Sequence, residues 1–154
     1  MIEAYLPRPD ELWFRRKMLA DEATMAYNRA YGGTVDFSEE RWPDWYGRWV
    51  AHPEGRYYRY LRESASGEFV GEIAYHFDGE KYLADVIVYA PYHRRGYGAA
   101  GLALLCAAAK ENGVGVLYDD IAADNPSVAL FLRCGFSVEY RTEQIVMVKK
   151  VLAE

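Results

Sequence analysis

The chain is poor in cysteine and histidine. Its two cysteines, Cys106 and Cys134, lie far apart and form no CxxC pair, which leaves no disulfide framework or cysteine-based redox motif and points to reduced thiols. His52, His76 and His93 show no ligand spacing among themselves, so no metal is expected. The longest apolar run, Ala99 to Ala109, is far too short to cross a bilayer. Residues 1–10 hold two prolines and no apolar core, so no secretory leader and a cytoplasmic location are expected. A basic surplus is also missing. The net charge of −5 argues against nucleic acid as a partner and is compatible with a cationic, amine-bearing substrate. Repeats, low-complexity stretches and linkers are absent, and residues 1–154 are expected to form one domain without a membrane partner.

What is present is a 51% hydrophobic chain with 14 Tyr and 4 Trp, many of them in the first half. Pro9-Asp10-Glu11 reads as a helix start, with the helix running from about Glu11 to Tyr27 and ending before Gly32-Gly33. Ser38-Glu39-Glu40 reads as an N-cap with acidic first-turn residues, opening a second helix to about Ala51. Three strands are expected next, over Arg56–Arg62, Glu68–Phe77 and Lys81–Ala90, the last two joined by a turn at Asp78-Gly79. A helix from Ala99 to Glu111, a strand from Val114 to Ala122, a short helix from Pro126 to Cys134 and one or two strands over Phe136–Val151 complete the reading. The order ααβββαβαβ implies an α+β (mixed α/β) domain.

The chemistry concentrates in Val86 to Ala100, VIVYAPYHRRGYGAA. An apolar strand stops at Pro91, a basic loop His93-Arg94-Arg95 follows, and Gly96 and Gly98 lead into a long helix. A helix N-terminus leaves its first amides unpaired and partially positive, and glycines let a ligand approach the backbone. Two guanidinium groups add forked donors, and the combination suits a diphosphate. Gly96-Tyr97-Gly98-Ala99-Ala100-Gly101 also spells GxGxxG, with Asp119-Asp120 about 20 residues on. Three features count against a dinucleotide fold. Five residues, Pro91 to Arg95, separate the strand from the first glycine; the motif sits too late for the remaining βαβ units; and nothing before it alternates strand with helix.

The segment resembles the coenzyme A signature of the GCN5-related N-acetyltransferases, Gln/Arg-x-x-Gly-x-Gly/Ala, here read as His93-Arg94-Arg95-Gly96-Tyr97-Gly98 with His in the first place. A second family signature, Asn-x-x-Ala/Ser before an aromatic and Gly-Phe, has its counterpart in Asn125 through Gly135-Phe136, one residue shorter than the common form. The resemblance covers about Gly71 to Tyr140. It implies a mainly antiparallel mixed sheet flanked by helices, with acetyl-CoA lying between two splayed strands, Lys81–Ala90 and Val114–Ala122. Residues His93, Arg94, Arg95, Gly96, Tyr97, Gly98 and Ala99 would hold its diphosphate, backbone groups near Val88 and Tyr89 its pantetheine arm, and Asn125 and Phe131 would flank that arm. The implied activity is acetyl transfer to a primary amine; the alternatives are a non-catalytic acyl-CoA-binding or sensing domain and a nucleotide-dependent oxidoreductase. Dimers are common among relatives, which leaves a homodimer open.

Attack on a thioester needs a free amine, and an alkylamine titrates near ~10.4, so a proton acceptor is required. Asp119-Asp120 sits in an otherwise apolar strand, and alternation turns one of the two toward the cleft. Some family members place a catalytic Glu five residues before the Asn, the offset that Asp120 has from Asn125. Asp120 is the first candidate base, Asp85 the second and Glu72 a third. The family's acidic Tyr has no counterpart, because Phe131 and Leu132 occupy its place; Tyr118, Tyr89 and Tyr97 are the alternatives. On the acceptor side, Trp42, Trp45 and Trp49 share a helix face at i, i+3, i+7, a stripe that more often means core than site. Ala23 to Asn28 is a candidate pocket lining.

Overall fold

The computed structural model describes residues 1–153, Ala30 and Tyr31 through the backbone alone. Its strands are β1 (Ile2–Tyr5), β2 (Arg56–Glu63), β3 (Phe69–Phe77), β4 (Tyr82–Val88), β5 (Val116–Ala122), β6 (Ser137–Arg141) and β7 (Ile145–Val151). They form a single sheet in the order β1-β2-β3-β4-β5-β7-β6, antiparallel throughout except where β4 meets β5. The helices are α1 (Trp13–Leu19), α2 (Trp42–Tyr46), α3 (Tyr97–Glu111) and α4 (Ser127–Arg133). This is the expected α+β architecture.

Each sheet face carries its own apolar layer. One face packs Leu61, Val70, Ile73, Leu117 and Val146 against Leu102, Leu105 and Ala109 of α3. Gly101 lets that helix sit close, because a Cβ there would fall 2.7 Å from Leu61 Cδ1. The other face packs Tyr58, Tyr60, Ala74 and Ile87 against Phe14, Met18 and Trp45. The β3–β4 turn forms where expected. Asp78 Oδ1 accepts the amides of Glu80 and Lys81 at 2.8 and 2.7 Å, with Gly79 at φ 108°.

Two expectations need correction. The first helix does not reach Tyr27; α1 ends at Leu19. Asp21 Oδ2 accepts both the amide and the hydroxyl of Thr24, at 3.0 and 2.5 Å, a local side-chain alternative to continued helix. A 3-10 segment, Ala26–Tyr31, follows. The second is a strand that was not expected: β1, four residues long, pairs with β2 along the sheet edge and ends before Pro7. The second helical region holds its place but is composite, with a 3-10 turn (Glu39–Arg41), α2 and a π turn (Gly47–Ala51) in succession.

Candidate active site

The sheet opens between β4 and β5. They pair in parallel only at Tyr82–Leu117 and Leu83–Tyr118. Beyond that point β4 stays with β3 up to Val88 and β5 with β7 up to Ala122, so the two strands share no further ladder. A cavity of about 1100 Å³ fills the gap, lined by Leu83–Val88 on one side and Asp119–Ala122 on the other.

The register shows what β4 offers to that gap. The Tyr89 amide donates to Val70 O at 2.8 Å, which makes Val70–Tyr89 a hydrogen-bonded pair. Gly71–Val88 and Ile73–Val86 are then non-hydrogen-bonded pairs, whose amides and carbonyls on β4 point away from β3 and into the gap. His93 Nε2 takes up the Val88 carbonyl at 2.7 Å and draws the following loop back over the strand end.

That loop is built for exposed amides. Arg94 has φ 66° and Gly96 φ 79°, the left-handed region that glycine enters without strain. Gly96 is the N-cap of α3, which therefore begins at Tyr97 and takes Gly98 into its first turn. Ala100 is the first amide to find an intrachain carbonyl, Gly96 O at 3.1 Å; among the described residues the amides of Arg94 through Ala99 donate to no backbone acceptor. At Gly98 a Cβ would stand 3.1 Å from Leu130 Cδ2, so any side chain would crowd the cavity wall.

A model of the acetyltransferase (GNAT) family matches residues 17–136, most of the chain. The chain belongs to that family. Family membership makes it an N-acetyltransferase, as its signatures implied. Solved structures agree on the fold. The PaiA N-acetyltransferase of Thermoplasma acidophilum, in complex with coenzyme A, is 14% identical with a TM-score of 0.72, covering 98% of this chain and 99% of its own. The spermidine N-acetyltransferase of Vibrio cholerae, in complex with CoA and spermine, is 14% identical at 0.78, covering 98% and 95%. A GNAT-family acetyltransferase of Bacillus anthracis is 16% identical at 0.74, covering 98% and 93%. No curated protein matches the sequence.

Of the residues singled out from sequence, Asp85, Val88, His93, Arg94, Gly96, Tyr97, Gly98, Ala99, Asp120, Asn125 and Phe131 all line the cavity of this acetyltransferase. Tyr89 and Arg95 do not. The Tyr89 amide is spent on Val70 and its ring packs on Phe14, while the Arg95 guanidinium lies over the Tyr92 ring at 5.4 Å. Tyr97 lines the cavity, but its hydroxyl donates to Glu63. Asn125 Oδ1 accepts the Ser127 amide at 2.9 Å and fixes the start of α4. Among the described residues no group of acidic, His or Cys side chains is placed to hold a metal, and no helix is long and apolar enough to cross a membrane.

The carboxylates divide by environment. Asp120 is exposed at the cavity rim. Asp85 is half-buried on the face shared with Glu72, and its carboxyl is pushed up to about 7, first by burial and then by the Glu72 charge, against the opposing pull of Arg15. Asp119 lies on the opposite face of β5, with the buried Leu117 and Ile121. Burial, then the charges of Asp85 and Asp120, hold its carboxyl well above the usual range.

Sequence reasoning named the segment 23–28 as a pocket wall, and Ala23, Thr24, Ala26, Tyr27 and Asn28 do line the cavity. Thr24 Oγ1 anchors it by accepting the Ala90 amide at 2.9 Å, just past the end of β4. Reasoning missed Arg15. Its guanidinium sits over the rings of Trp45 (4.6 Å) and Phe37 (4.8 Å) and pairs with the deeply buried Glu72, whose Oε1 also accepts the Tyr58 hydroxyl at 2.7 Å. The periodic Trp stripe hinted at this cluster without naming what it surrounds.

Proposed function

We propose that this acetyltransferase carries the acetyl group of acetyl-CoA directly onto the primary amine of a small molecule, both substrates being held in the cavity at once. One observation carries the reading. Consecutive unpaired amides, Arg94 through Ala99, open the 15-residue helix α3 at the mouth of a cavity that continues between the splayed strands to titratable carboxylates. Unpaired amides at a helix start are an anion seat, and Arg94, which lines the cavity, adds a positive charge beside it. The backbone groups of Val86 and the Val88 amide, which face the gap, suit an amide-bearing arm, and Asn125 and Phe131 flank the same gap. Acetyl-CoA supplies the activated acyl group; the chain supplies the seat, the orientation and the proton transfers.

Asp85 is the base in this reading. A carboxylate titrating near 7 in a cleft is matched to taking a proton from an ammonium group at neutral pH. Asp120 stays at the rim, where it favours the approach of a cation. α4 offers no tyrosine as proton donor to the leaving thiolate, and Asp119 lies on the other face of β5 from Asp120. Similarity to a protein crystallised with spermine supports an amine as acceptor. The test is a panel of amines offered with acetyl-CoA and read by free-thiol release. Amine-dependent release supports the proposal. A rise in melting temperature with CoA but no release with any amine would instead make the protein an acyl-CoA-binding domain.

A further inference from the structure

The acceptor side of the cavity holds a cation that the transfer itself does not use. Arg15 lines the cavity with its side chain 17% exposed. A guanidinium carries five N–H donors. Among the described residues, one Arg15 donor group is engaged, Nη1 on Glu72 Oε1 at 3.3 Å, while Nε is sealed from solvent without a partner. Aromatic rings lie over the group and Nε is closed off, so the terminal nitrogens are what remains for a ligand. Buried donors without acceptors are costly, and a fork of this shape is matched by a carboxylate.

The register gives the spacing. Glu72 pairs with Ile87 and Ala74 with Asp85, so Glu72 and Asp85 are diagonal neighbours on one face of the sheet. Such neighbours stand roughly 7–8 Å apart. Arg15, held on Glu72, is thus within a short molecule's length of the proposed base. A diamine would bring a second cation against Arg15. A molecule with an ammonium group and a carboxylate a few atoms apart satisfies both ends.

We infer that the acceptor is an amino acid-type amine, its carboxylate received by the terminal nitrogens of Arg15 while its amine is presented to Asp85. This rests on the acetyl-transfer reading and names its substrate class.

The test compares matched pairs, phenylalanine with phenethylamine and β-alanine with ethylamine, by thiol release. The better carboxylate-bearing member is expected to exceed its decarboxylated partner by about tenfold or more in kcat/KM, the range for a charge-assisted hydrogen-bond pair. Arg15→Lys keeps a cation facing Glu72 but removes the fork; it should shrink the ratio to about threefold or less, through KM for the amino acid rather than through kcat. Equal rates within both wild-type pairs, or a ratio that survives in R15K, would overturn the inference. If no amine of either kind releases thiol, the transfer reading fails by itself. The carboxylate seat is then judged by tryptophan fluorescence of the CoA-bound wild-type protein titrated with N-acetylphenylalanine and N-acetylphenethylamine. Tighter binding of the first supports the seat, and equal binding removes it.

Discussion

The two ends of the cavity are built in opposite ways. The end proposed for coenzyme A is made of main chain, six successive amides set by Arg94 and Gly96 in left-handed conformation at the start of α3. The end proposed for the acceptor is made of side chains, with Arg15 from α1, Trp45 from α2, Tyr58 from β2, Glu72 from β3 and Asp85 from β4 converging on one place. A main-chain site depends on few side chains and tolerates their change. A side-chain site ties binding, catalysis and stability to the same residues. Its polar groups are buried and mutually dependent, so removing one exposes the cost of the others.

Mutations at the two ends should therefore differ in kind. The largest effect is expected from Asp85→Asn, a fall in kcat of about 10²–10⁴ with unchanged melting response to CoA. The wild-type rate should rise with pH through about 7 as Asp85 loses its proton, and that limb should vanish in D85N. Stability runs the other way. The folded protein holds the Asp85 proton up to about 7, whereas the unfolded chain releases it near ~3.9, so folding loses stability as pH rises between those values. Asp85→Asn should thus raise the melting temperature at pH 8 relative to wild type more than at pH 4. An equal offset at both would mean that the carboxyl is not perturbed by its site.

Next comes Glu72→Gln, which leaves the Arg15 guanidinium without its counter-charge and should cost about 3 kcal/mol or more in denaturant unfolding. No loss of stability would show that the pair is solvated. At the other end, Gly98→Val should raise the KM for acetyl-CoA about tenfold, because the added branch meets Leu130. Its apo melting curve should move less than that of E72Q. The smallest effects separate two adjacent arginines. Arg94→Ala should weaken CoA binding severalfold and flatten its salt dependence, whereas Arg95→Ala, directed at Tyr92, should change neither. Equal losses from both would erase the distinction between a cavity-lining and an outlying arginine.

The contrast also explains what the sequence made legible. The turn proposed for CoA was visible in the sequence because its parts are consecutive, with strand, basic turn, two glycines and helix all falling within Val86 to Ala100. The Ala23–Asn28 segment was placed from local pattern, whereas the splay of the two strands came from the family resemblance. The acceptor end was not readable, because Arg15 and Glu72 lie 57 positions apart and meet only through the packing of α1 on β3. Alternation said that one of Asp119 and Asp120 faces each way without saying which side is buried, and only the offset from Asn125 singled out Asp120. The break in the first helix is accompanied by two bonds from Thr24 to the Asp21 carboxylate that helix propensity does not report. β1 was lost because four residues at a sheet edge carry too short an alternation to register.

The amide seat itself is open to direct observation by ¹H–¹⁵N NMR of the labelled protein titrated with CoA and, separately, with pantetheine, which lacks the diphosphate. The amide resonances of Arg94 through Ala99 should move strongly with CoA and little with pantetheine. Movement of equal size with both ligands, or resonances that stay in place while CoA binds, would contradict a diphosphate seat at the start of α3.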